Sequence, residues 1–137
     1  ALFRTVDAID RVKAAEALQR RCEEQGKTLE TLMEVNVSGE ASKHGFVPES
    51  LRDALREMAP FDRLRVTGLM TMAPIVMDPE EARPVFCRLR LLRDELAETH
   101  GRDLPQLSMG MSGDFEVAVE EGATLVRVGS AIFGVRT

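Results

Sequence analysis

The chain has 137 residues, 44% of them apolar and 30% charged, with a net charge of −5, the profile of one small globular domain. An acidic balance argues against nucleic-acid binding, which needs a basic face to displace counterions. No apolar run is long enough to cross a bilayer and no signal peptide opens the chain, so a cytoplasmic protein without membrane contact is expected.

The elements follow a regular rhythm. Residues 2–6, "LFRTV", read as a short strand, and a helix is expected from about Asp7 to Gln25, with Val12, Ala15, Leu18 and Cys22 on one face and Gly26 as its C-cap. "LETLMEVNV" (29–37) reads as a strand and "SGEASKHGF" (38–46) as a loop. Pro48 starts a helix with Leu51, Ala54, Leu55 and Met58 in one apolar stripe. "LRVTGLM" (64–70) is a strand and "TMAPIVM" a loop. In "DPEE" (78–81) Asp78 is placed as N-cap and proline as the first helical residue, and two carboxylates face the positive end of the dipole. Phe86, Leu89, Leu92 and Leu96 continue that helix, which Pro84 either kinks or truly starts. "LPQLSM" (104–109) is a strand, 113–121 a short helix with Phe115, Ala118 and Val119 inward, "TLVRVG" (124–129) the last strand, and 130–133 one helical turn.

Five β-α units with short connections call for a parallel sheet covered by helices. An open doubly wound sheet and part of a (β/α)8 barrel both fit the spacing, and both place ligands at the C-terminal ends of the strands. The residues to examine are therefore Asn36 and Ser38, Thr71 and Met72, 109–112 and 127–130.

Ser112 with Gly113, and Gly129 with Ser130, each close a strand and open a helix. Unpaired N–H groups, a glycine that admits an anion and a hydroxyl donor suit a phosphate; equally, the serines are N-caps and the glycines turn formers. Arg127 sits between Val126 and Val128 in an otherwise apolar strand. Its charge needs a partner: either a rim carboxylate such as Glu34, or a ligand atom, to which a guanidinium donates without losing its proton. Asn36 either contacts a ligand or pairs with nearby backbone. Met70, Met72, Met109 and Met111 are packing residues whose thioethers also suit a planar ring. His44 is expected at the surface and His100 at a helix C-terminal dipole. Cys22 and Cys87 are expected to be reduced helix-packing residues. Two separated histidines and two separated cysteines make no metal set.

The segments "VNVSGEASKHGF", "GLMTMAP" and "LSMGMSGDFEVAVEEGATLVRVGSAIFG" together resemble the pyridoxal phosphate homeostasis proteins (the YggS/PROSC type), in the same order and over essentially the whole chain. The resemblance implies an α/β fold, the C-terminal part, about strands four to eight, of a (β/α)8 barrel of the alanine racemase N-terminal domain type. It implies pyridoxal 5′-phosphate (PLP) as cofactor. Arg127 would face the pyridine nitrogen, Ser112, Gly129 and Ser130 would contact the phosphate with Met111 beside them, and Asn36 and Met72 would line the ring. The family's Schiff-base lysine lies on the first barrel strand, ahead of Ala1, and neither Lys13, Lys27 nor Lys43 matches it. On this resemblance residues 1–137 are a partial PLP-binding barrel without its first three strands.

The function expected is a non-catalytic PLP carrier in vitamin B6 homeostasis, with PLP-dependent apoenzymes as candidate partners and a monomer or weak dimer as the parent. An amino-acid racemase of the alanine racemase type is the alternative; it needs a lysine and a tyrosine on opposite faces of the substrate carbon, and the chain has no tyrosine. A phosphate-binding lyase of the barrel class is a third reading.

Overall fold

The computed structural model describes residues 5–39, 44–74 and 76–127, with side chains from Ile9 onward. Five strands alternate with four α-helices: β1 (Thr5–Ile9), α1 (Val12–Gln25), β2 (Leu29–Glu34), α2 (Leu51–Met58), β3 (Leu64–Met70), α3 (Arg83–His100), β4 (Gln106–Met111), α4 (Phe115–Glu120) and β5 (Leu125–Arg127). All neighbouring strands are parallel, and their order in the sheet is their order in the chain. A doubly wound sheet reverses its growth at a switch point. Here every strand adds to the same edge. With right-handed crossovers that order lays all the helices on one face, which is how the wall of a (β/α)8 barrel is wound. The choice that spacing alone left open falls to the barrel.

The core lies between this wall and its helices. The stripe Leu51, Ala54, Leu55 and Met58 is buried in full. Phe86, Leu89, Leu107 and Met109, all inaccessible to solvent, join it in one cluster, with Leu92 partly buried at its margin. Gly26 ends α1 at φ +64°, and its N–H closes the last turn. The Asp78 carboxylate accepts the Glu80 N–H at 3.0 Å, the expected N-cap. A short 3-10 turn, Pro79–Ala82, intervenes before α3, so Pro84 lies just inside the true start of that helix.

Several boundaries differ from the sequence expectation. Asp7 to Ile9 continue β1 instead of opening α1, because Ile9 is buried against β2 and pairs with Met33. Ladder pairing in β2 ends at Glu34; Val35 then bridges to Phe46, as the following loop folds back alongside. Strand β4 starts two residues late and runs to Met111. In α4, Val117 and Ala118 are buried while Val119 is exposed, because the helix packs on β4 with Ala118 close over Gly110. Residues 128–137, and with them the expected last helical turn, lie outside the described residues.

Candidate functional site

The C-terminal edge of the sheet is where the strands end beside one another. Met111 of β4 is the register partner of Arg127 on β5. Thr71, just past β3, is 1% exposed and ties four strand ends together. Its hydroxyl donates to the Val35 carbonyl at 2.7 Å, its N–H donates to the Ser108 carbonyl at 3.1 Å, and its own carbonyl accepts from Arg127. Asn36 follows Val35, Met72 follows Thr71 and Ser112 follows Met111. The structure therefore brings Asn36, Met72, Met111, Ser112 and Arg127 to one edge. Gly129 and Ser130 lie outside the described residues.

Arg127 is half-buried, and its partners are neutral. Nη1 donates to the Ser108 hydroxyl at 2.7 Å and Nη2 to the Thr71 carbonyl at 3.1 Å. Nε is buried without an acceptor among the described residues. The pairing with Glu34 considered from sequence is not formed, and among the described residues no carboxylate reaches this guanidinium. Ser108 on the adjacent strand β4 and Thr71 just past β3 supply dipoles where a structural arginine would take a counter-charge. Neutral acceptors orient a guanidinium without cancelling its charge. The charge is therefore available to whatever occupies the strand ends.

Asn36 does what local backbone chemistry asks of it. Its Oδ1 accepts the Gly39 N–H at 3.1 Å and the Ser38 hydroxyl at 3.5 Å, closing the turn after β2. The returning chain is held against this turn, with the Phe46 N–H on the Glu34 carbonyl at 2.7 Å and the Asn36 N–H on the Phe46 carbonyl at 2.8 Å. Gly45 makes that approach possible: it sits at φ +120°, and a Cβ would lie 2.9 Å from the Asn36 nitrogen. His44 is exposed, 3.9 Å from the Asp10 carboxylate at the end of β1.

Ser112 is not a helix cap. Asp114 takes the N-cap position of α4 and its carboxylate accepts the Met111 N–H at 2.7 Å, so Ser112 and Gly113 form the tight turn ahead of the helix. Behind this turn is a cavity of about 290 Å³ lined by Asp78, Glu80, Ser112, Asp114 and Glu116. Four carboxylates, with Phe115 and Val117 beside them, make this cavity a poor place for a phosphate. A larger cavity, about 410 Å³, opens between α2 and α3 on the outer layer, lined by Arg52, Arg88 and Glu95 among others, remote from the strand ends.

Two further residues escape a sequence reading. Ser108, 2% exposed, carries the guanidinium contact, yet in "QLSMGM" it passes for a small strand residue. Gln19, 6% exposed, donates to Asp62 at 2.7 Å and accepts the Arg63 N–H at 2.9 Å, pinning α1 to the loop before β3. His100 does end α3, but burial and the nearby Arg56, Arg52 and Arg102 push its pKa down. Cys22 is buried and Cys87 half-buried, both as free thiols. No group of three or more metal-ligating side chains occurs among the described residues, and no described helix is long and apolar enough to cross a membrane.

Comparison with known proteins matches this architecture. A pyridoxal phosphate homeostasis protein of Aquifex aeolicus is 45% identical over 131 residues, covering 96% of this chain and 58% of its own length. The chain thus spans little more than half of that relative. PipY of Synechococcus elongatus without PLP superposes with a TM-score of 0.88 at 33% identity, over 96% of this chain and 62% of its own. The same protein with PLP bound gives 0.85 at 31% identity, over 96% and 61%. The sequential parallel wall, its strand-end cluster and a match over residues 4–137 to the alanine racemase N-terminal domain agree, and the chain belongs to that family.

Proposed function

We propose that this chain contributes the ring- and phosphate-facing strand ends of a PLP site, in a protein that binds and hands on the cofactor for vitamin B6 homeostasis and turns over no amino acid. The observation that carries the reading is Arg127, a guanidinium turned to the C-terminal edge of the sheet and held, among the described residues, by neutral oxygens. A fixed donor of this kind suits the pyridine nitrogen: arginine keeps its proton at any relevant pH, so the ring nitrogen accepts a hydrogen bond and stays unprotonated. When bound, PLP would supply an aldehyde for amines and a ring whose strength as an electron sink depends on that nitrogen.

The thioethers of Met72, 44% exposed, and of Met111 suit the faces of a planar ring. The Ser112 hydroxyl, with Gly129 and Ser130, is assigned to the phosphate, and Asn36 to shaping the loop that borders the ring. The names of the relatives and the PLP-bound neighbour support the cofactor and the homeostasis role; PLP-dependent apoenzymes are the recipients this role calls for.

The test is equilibrium binding of PLP by the full-length protein and by Arg127→Met. A hydrogen bond to a charged group contributes about 1.5–3 kcal/mol, so binding at least about ten-fold weaker is expected. Chiral analysis of alanine incubated with the loaded protein should show no racemisation above the cofactor alone. Unchanged binding in Arg127→Met removes the site assignment, and racemisation at enzymatic rates replaces the carrier reading with the racemase one.

A further inference from the structure

We infer that Ser108 is a positioning residue for the cofactor-facing arginine: its hydroxyl, working with the Thr71 carbonyl, sets the plane of the Arg127 guanidinium. This rests on the PLP reading above and extends it to a residue to which that reading assigns no ligand contact. An arginine side chain turns about four single bonds, and one contact at its tip would leave the plane free to rotate. Two contacts on different terminal nitrogens, Nη1 to Ser108 at 2.7 Å and Nη2 to Thr71 at 3.1 Å, fix it. Both acceptors are themselves immobile. Ser108 lies within β4 and is 2% exposed. The Thr71 carbonyl is held because its own residue bonds to Val35 at 2.7 Å and to the Ser108 carbonyl at 3.1 Å.

The chemistry of the acceptor matters as much as its place. An aspartate at position 108 would hold the guanidinium more tightly but would neutralise it. A hydroxyl orients the cation and leaves its charge for the ligand. Nε is already buried without an acceptor among the described residues. Losing the Nη1 contact as well would leave the group with the Thr71 carbonyl alone, and a side chain so poorly held turns toward water.

Ser108→Ala, Ser108→Thr and Arg127→Met are compared in the full-length protein, with melting curves to verify folding. Ser108→Cys is measured alongside, keeping the volume and weakening the acceptor, so that loss of folding in one variant leaves the other to decide. The readouts are PLP affinity and the absorption band of the bound cofactor, whose position follows protonation of the ring nitrogen. Ser108→Ala is expected to bind about ten-fold more weakly and to acquire a pH dependence of the band that the unmodified protein lacks. Ser108→Thr, which keeps the hydroxyl, should restore both. In the apo protein, the Arg127 Nη resonances should be sharp with serine and broadened with alanine. If Arg127→Met weakens binding while Ser108→Ala leaves affinity, band and resonances unchanged, the positioning role is wrong and the PLP site stands. If Arg127→Met is also without effect, the assignment of the PLP ring to these strand ends fails.

Discussion

At the scale of single residues, a few side chains and one missing side chain carry most of the information. Gly68 faces Gln106 across the β3–β4 ladder, and a Cβ there would run into the Gln106 backbone carbonyl and side chain. Backbone on a paired strand cannot step aside, so Gly68→Ala should destabilise the protein by about 2 kcal/mol or more, within the range seen for overpacked interiors. Gly113→Ala is the natural control, since nothing lies within 4 Å of its Cβ and its stability should be unchanged. Denaturant titration of the two variants decides the matter; equal midpoints would mean that the β3–β4 contact is looser than described. Residues of this kind differ in how far they can be read from sequence. Arg127 was conspicuous because a permanent charge interrupts an apolar run. Ser108 and Thr71 were not, since small hydroxyl residues are ordinary in strands and their partners lie 19 and 56 positions away. A lone charge in an apolar strand points to a rim carboxylate such as Glu34 as its partner. The neutral pair prevails because β4, beside β5, presents Ser108, and the Thr71 carbonyl just past β3 lies within reach.

At the scale of elements, the joint between α3 and α4 shows what sequence periodicity leaves out. Arg83 reaches both Glu80 oxygens at 2.8 Å, Glu121 at 2.8 Å and Glu120 at 2.6 Å, and Glu121 also accepts from Arg90 at 3.2 Å. Nothing in the run "EVAVEE" marks its carboxylates as paired, yet in the fold Glu121 is mostly buried under two arginines. Hydrogen bonding from Arg83 holds both the Glu80 and Glu121 carboxyls below their ordinary value of 4.5. Their folded pKa values are lowered, so the stabilisation is complete above that value and is lost as pH falls through the folded-state values. Acid should therefore loosen α4, and with it the Ser112–Asp114 turn, before the rest of the wall. Hydrogen exchange measured between pH 6 and pH 3, on the scale of about one carboxylate titration, should show early loss of protection over 115–120. Arg83→Met should show that loss already at neutral pH. Protection that falls uniformly across the sheet would assign the acid sensitivity elsewhere. The apolar stripe of α2 and the caps Gly26 and Asp78 were legible because they depend on neighbours three or four residues away. The ends of β1 and β4 and the start of α4 were not, because each is set by a strand or turn supplied from elsewhere in the chain.

For the molecule as a whole, alternation of elements indicated a parallel α/β wall, but only the order of strands in space tells a barrel arc from a doubly wound sheet, and that order is a long-range fact. It has a chemical consequence, because a wall wound in one direction has a single functional edge. Arg127, Met72, Met111 and Ser112 all occupy that edge. Lys27 lies before β2, at the opposite end of strands about 20 Å long. Lys13 lies on the exposed side of α1, outside the wall. Lys43 falls outside the described residues, in the loop after β2. A ring held by Arg127 over the strand ends with its phosphate toward Ser112 must meet its amine from within the barrel, and neither described lysine can reach there without crossing the sheet. We therefore expect that borohydride reduction of the full-length protein loaded with PLP gives one pyridoxyl-lysine per chain, mapping to none of Lys13, Lys27 and Lys43. The same treatment of the 137-residue chain alone should label those three only in scattered, substoichiometric fashion. Peptide mapping by mass spectrometry reads both. A single stoichiometric adduct on Lys43 would show that the loop after β2 supplies the amine and that these residues hold a complete site. The same result on Lys13 or Lys27 would mean that PLP sits outside the barrel, away from Arg127.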